Sequence, residues 1–216
     1  MRLLQILSST ILLAATLTAA PSWAYNEVLS TGQVLERGQF RLTGGLQALT
    51  ERGGANVTGI IDTGIQEDFE VRGILGFGKT DYSLGALVKW VPIPDVEGQP
   101  AVGFLTGITY ARWLNGSEFT LQWNPLVSKK FAVGEGAIIP YAGIPLGLRF
   151  RDNQTAGVSD TTQMTIQVTG GAQIQVERWK NLQFIGEVGI NLEHAYSYVS
   201  AGAIFYFDTE NGFKLE

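Results

Sequence analysis

The sequence predicts an all-β chain folded as a closed, antiparallel, up-and-down transmembrane β-barrel of ten strands, with eight as the alternative count. Three observations carry this. From Gly38 to Phe207 the chain reads as stretches in which apolar residues alternate with Gln, Thr, Gly or charged residues, the period of a strand. After residue 24 no apolar run approaches the roughly 20 residues that a spanning helix needs. A chain without such a run can cross lipid only as a closed barrel, which pairs every backbone group. Aromatic residues collect at both ends of the strands, where rings favour the two lipid interfaces.

Composition narrows the class further. The chain carries 27 glycines, only 16% charged residues and no cysteine, so it is poorly charged for a water-facing domain and is held by no disulfide. A net charge of −5 argues against nucleic acid as a partner. One histidine and no cysteine supply no metal-ligand cluster, and no cofactor is expected. Residues 1–24 begin with Arg2, continue apolar over 3–20 and end in Ser22, Trp23 and Ala24. That order is a secretory signal peptide cleaved after Ala24.

Residues 25–37 are mixed and polar and read as a periplasmic lead-in. The barrel is expected over 38–207, with 208–216 as a tail. Phe40, Leu42, Gly44, Leu46 and Ala48 form the apolar side of the first strand, and Gly53 and Gly54 mark the turn after it. Val57, Gly59, Ile61, Thr63 and Ile65 face out on the second strand, and Phe69, Val71, Leu75 and Phe77 on the third. The fourth shows Tyr82, Leu84, Ala86, Val88 and Trp90, and Pro92 to Pro100 must be a loop because three prolines remove ladder donors. Val102, Phe104, Ile108 and Tyr110 give the fifth strand; Phe119, Leu121 and Trp123 give the sixth. Residues 138–151 form the seventh, where Pro140 and Pro145 imply a bulge or distortion. The eighth alternates without a break from Gln163 to Glu177, the ninth shows Leu182, Phe184, Val188 and Ile190, and the tenth ends in Phe205, Tyr206 and Phe207.

In that last strand Ser200, Gly202, Phe205 and Phe207 place a small polar residue, a glycine two on, and aromatics three and five after the glycine. The spacing resembles the carboxy-terminal assembly signal of bacterial outer-membrane β-barrel proteins, except that such chains usually stop at the final aromatic. The resemblance implies a Gram-negative outer-membrane location. It also implies contact with lipid and lipopolysaccharide, and recognition by the barrel-assembly machinery through Gly202, Phe205 and Phe207.

In this register Arg41, Asp62, Glu70, Arg72, Lys89, Glu118, Arg149 and Glu187 point into the lumen, where opposite signs should meet as pairs. Phe40, Phe69, Trp90, Phe104, Trp113, Trp179 and Phe184 are expected in the aromatic girdles, together with Tyr141. Ten strands enclose far less room than the roughly 16 to 18 of open porins. The expected role is therefore structural, or a limited passive path through a lumen filled by polar side chains, and no enzyme is expected. A narrow, porin-like, charge-lined channel is the first alternative. A barrel-type lipid or peptide hydrolase using His194, with Glu193 and Ser197 near it, is the second. Residues 73–80 match a phosphate-binding loop letter for letter, but the alternation after Thr80 reads as a strand, so no nucleotide is expected. The three Asn-x-Ser/Thr triplets at Asn56, Asn115 and Asn153 read as ordinary polar turns.

Overall fold

The computed structural model describes residues 27–208, except 52, 115, 154–160 and 180. Residues 1–24, read as a signal peptide, the tail after Asp208, Asn115 of its triplet and positions 154 and 155 of the Asn153 triplet lie outside the described residues. The strands are β1 (Gln39–Leu49), β2 (Ala55–Gln66), β3 (Phe69–Gly78), β4 (Tyr82–Ile93), β5 (Ala101–Trp113), β6 (Gly116–Ser128), β7 (Phe131–Ala132), β8 (Gly136–Gly143), β9 (Leu146–Asn153), β10 (Thr161–Val176), β11 (Leu182–Glu193) and β12 (Tyr198–Asp208). Each pairs antiparallel with its neighbours, and β12 returns to β1 from Gln39↔Asp208 through Leu49↔Tyr198. The sheet thereby closes on itself.

Twelve segments make a barrel of ten staves. β8 and β9 both lie between β6 and β10 and are one strand broken at Ile144 and Pro145, while β7 is a spur on β8. The break follows from Pro145, which has no N–H to donate. Its carbonyl still accepts from the Gln167 amide at 3.0 Å, and the Ile144 amide donates to the Pro125 carbonyl at 3.1 Å, so pairing resumes on both sides. Ten strands, not eight, therefore close the barrel.

Alternation separates the two faces sharply. Leu46 is 64% exposed and its neighbour Gln47 only 3%; Val168 is 38% exposed and Gln167 only 1%. Large apolar side chains cover the outside of every long strand, and polar side chains are enclosed. Such a surface suits lipid and would be costly in water.

Rings ride at the two ends of this outer face. At the proximal end, where Gln39 and Asp208 lie, Phe40 stacks on Phe207 at 5.2 Å. Phe69, Trp90, Phe104 and Trp123 form a run of ring contacts at 6.0, 6.0 and 5.7 Å, and Trp179 meets Phe184 edge-on at 5.9 Å. At the distal end Tyr82 meets Tyr110 at 6.1 Å and Phe119 meets Phe150 at 6.3 Å. Trp113 does not join them: it is 7% exposed and faces the lumen, because it lies three residues from outward Tyr110 and so on the opposite face. Tyr141 is likewise buried and inward.

The proline loop after β4 folds beneath the proximal end. Asp95 accepts from Lys129 Nζ at 2.7 Å and from the Lys130 amide at 2.6 Å. Partial burial opposes its ionisation, but these two bonds outweigh that and hold the carboxyl below its usual range.

Candidate functional site

The lumen has three levels, and the first is a chain of alternating charge. Arg72 Nε donates to Asp62 at 2.7 Å, Arg41 Nε to the same carboxylate at 2.9 Å, and Arg41 Nη2 to Glu70 at 2.8 Å. Lys89 Nζ closes the chain on Glu70 at 2.7 Å. All five side chains are at most 3% exposed. The order Arg72, Asp62, Arg41, Glu70, Lys89 gives each interior charge an opposite neighbour on both sides, the arrangement a low-dielectric interior requires.

The second level is apolar. Moving two residues along each strand from Asp62, Arg72 and Lys89 brings Ile60, Ile74 and Leu87 inward, and these pack with Leu105, Leu126, Ile185 and Ile204 in one buried cluster. The third level, toward the distal end, holds Glu118 between Arg149 and Arg151 at 3.3 and 3.0 Å. Arg151 lies over the Trp113 ring at 5.4 Å.

Residues 27–35 run through the first two levels. The sequence places them in a lead-in outside the barrel; the structure puts them inside it, with Glu27, Val28, Leu29, Thr31 and Leu35 at most 4% exposed. Val28 and Leu29 fill the apolar level. Glu187 accepts their amides, one on each carboxylate oxygen, at 2.9 and 2.8 Å, and also accepts the hydroxyls of Tyr141 and Tyr198. Four donors satisfy a carboxylate that would otherwise be buried at high cost.

The rest of the segment is read through its backbone. Arg72 donates to the carbonyls of Val28 and Leu29, Lys89 to those of Thr31 and Gln33, and Glu70 accepts from the Leu35 amide. The Gly32 amide donates to Ser128 Oγ at 2.8 Å, and a Cβ at Gly32 would overlap the Ala101 side chain. At the proximal exit a Cβ on Gly64 would overlap the carbonyls of Leu35 and Glu36, so only glycine lets the segment pass there. Buried charges that pair with one another thus also hold an extended peptide.

Among the sequence-chosen lumen residues, Arg41, Asp62, Glu70, Arg72 and Lys89 come together as one group and Glu118 with Arg149 as another; Glu187 stands apart and holds the plug. Gly202 sits against Gly44 and Gly45 across the closing seam, with Phe205 opposite Leu42 and Phe207 opposite Phe40. The plug, the apolar level and Arg151 have no place in the sequence reading.

His194 is half exposed in the turn between β11 and β12, at a positive φ of 47°, and its Nδ1 is 2.8 Å from Glu193. Ser197 Oγ donates to Glu51 at 2.6 Å and accepts from the Asn191 amide, so its proton is directed to a glutamate and not to His194. Residues 73–80 end β3 and turn directly into β4, with no helix to supply the amides a phosphate-binding loop uses. Asn56 lies inside β2 and is buried, its side chain turned to Gln47 and Thr80.

No protein-family model matches the sequence, and no curated protein matches it. Among solved structures, the chain is similar to a barrel from the de novo design of transmembrane β-barrels at 14% identity and TM-score 0.39, covering 81% of this chain and 100% of that one. It is also similar to the N-terminal β-barrel domain of Pseudomonas aeruginosa OprF at 10% identity and TM-score 0.40, covering 79% of this chain and 98% of that one.

Proposed function

We propose that this protein is an integral outer-membrane barrel that is closed in its resting state, serving a structural role and carrying solutes only when residues 27–35 leave the lumen. The observation that carries the reading is the Glu187 carboxylate, which grips the amides of Val28 and Leu29 in the middle of the lumen. The apolar outer face and its ring-bearing ends support a bilayer setting, with the proximal end periplasmic. The order of residues 1–24, a charged start, an apolar run and small residues at 22 and 24, is that of a secretory signal and supports export. Lipid and lipopolysaccharide would surround the barrel, and the assembly machinery would take up the strand containing Gly202, Phe205 and Phe207. The role is not enzymatic in this reading.

Two measurements test it. With single cysteines placed along β10, a bilayer-dissolved label is expected to reach positions 168 and 174 and to miss 167 and 173. Val168 and Ile174 are 38% and 46% exposed, whereas Gln167 and Gln173 are each 1% exposed. Modification of the two glutamine positions instead would place the apolar face inside and end the proposal. In planar bilayers the intact protein is expected to be silent, and steady openings would favour a constitutively open, charge-lined channel.

A further inference from the structure

Among the described residues, the distal level of the lumen gathers two arginines, Arg149 and Arg151, about the carboxylate of Glu118. Arg149 is 1% exposed. Both terminal nitrogens of Arg149, Nη1 and Nη2, are buried without a hydrogen-bond partner. Gln163, opposite Arg149 on β10, also has a buried side-chain oxygen without one, as does Glu118 at Oε1. Idle donors on a buried guanidinium are far costlier than an ordinary missed hydrogen bond. Arg151 is fixed by Glu118 and by the face of Trp113.

We propose that Arg149 and Arg151 form a binding site for a tetrahedral oxyanion of the phosphate class at the distal end of the lumen. Two guanidinium forks on alternate residues of one strand suit such an anion better than lysines would, because each fork presents paired donors in a plane. The two arginines stand toward the distal end of β9 and are buried, whereas the proximal part of the lumen is filled by residues 27–35. The carbonyl of Tyr196, in the β11–β12 connection, accepts from Gln167.

The test uses the full chain folded in detergent and reads the temperature at which its compact gel form is lost. Millimolar inorganic phosphate is expected to raise that temperature by several degrees over chloride at equal ionic strength, and to do so no longer in Arg149→Gln. A soluble short-chain phosphatidic acid forms the second arm. If it stabilises and inorganic phosphate does not, the oxyanion arrives on a lipid headgroup; if both stabilise, the free ion suffices. Should Arg149→Gln fail to fold, Arg149→Lys keeps the charge and loses the fork, and its phosphate midpoint is expected at least about tenfold higher. No stabilisation of the native chain by either phosphate, or equal stabilisation of the native and Arg149-substituted chains, overturns the site.

Discussion

Deleting residues 27–35 is expected to turn a silent barrel into a conducting one. The segment precedes β1 and contributes to none of the strand pairs that close the sheet, so its removal leaves every stave in place. It takes away one extended chain, whose cross-section is about 5 by 10 Å by the spacings of strands and sheets. Water can enter a space of that width once Arg72, Lys89 and Glu187 need new partners, because each exchanges a backbone group of the segment for solvent. Single-channel recording should therefore show steady openings in the deleted protein. Glu187→Ala removes the shared acceptor of Val28 and Leu29 and is expected to give brief, flickering openings. Gly32→Leu forces the segment off Ala101 and should behave similarly. A deleted protein that inserts, keeps its heat-modifiable migration and stays silent would show that the apolar level of Ile60, Ile74, Leu87 and Leu105 closes the lumen unaided.

The barrel was legible in the sequence because strand alternation is a local property and the closing seam inherits it. Placing Leu42, Ile61 and Leu75 outside puts Arg41, Asp62 and Arg72 inside with no knowledge of their partners. The plug was not legible, since residues 25–37 have no period in the sequence, and many of the contacts that hold 27–35 reach their backbone, which leaves no pattern in residue type. The apolar level did leave a trace that period-two reading passes over. Ile60-Ile61, Ile74-Leu75, Leu87-Val88, Phe104-Leu105, Phe184-Ile185 and Ile204-Phe205 are apolar doublets in otherwise alternating strands, and each must send one apolar side chain inward. Trp113 was misplaced by residue type, since a tryptophan near a strand end suggests an interface, whereas its parity with Thr109 and Ala111 already set it inside. Pro145 announced a distortion, but whether the chain would leave the barrel or merely skip a bond depended on Gln167 and Pro125, far away in sequence.

The largest loss of stability is expected from Asp62→Ala. Its carboxylate is the shared partner of two arginines, with Arg72 Nε at 2.7 Å and Arg41 Nε at 2.9 Å, and all three groups are at most 3% exposed. Removing one member of a buried pair leaves an uncompensated charge and costs about 3–5 kcal/mol. Here Arg41 retains Glu70 and Arg72 retains two backbone carbonyls of the plug, so the stranded charge falls chiefly on Arg72. The plug and the ion chain are therefore coupled: an Arg72 released from Asp62 can turn fully to the carbonyls of Val28 and Leu29, or pull away from both. A double-mutant cycle separates the two outcomes. If the cost is a stranded cation, replacing Asp62 by Leu and Arg72 by Met together should cost less than the two single changes summed, by about 1–3 kcal/mol in urea unfolding of the membrane-inserted protein. Additive single costs would mean that water already reaches Asp62 and that the alternating chain contributes little, although its five members are enclosed.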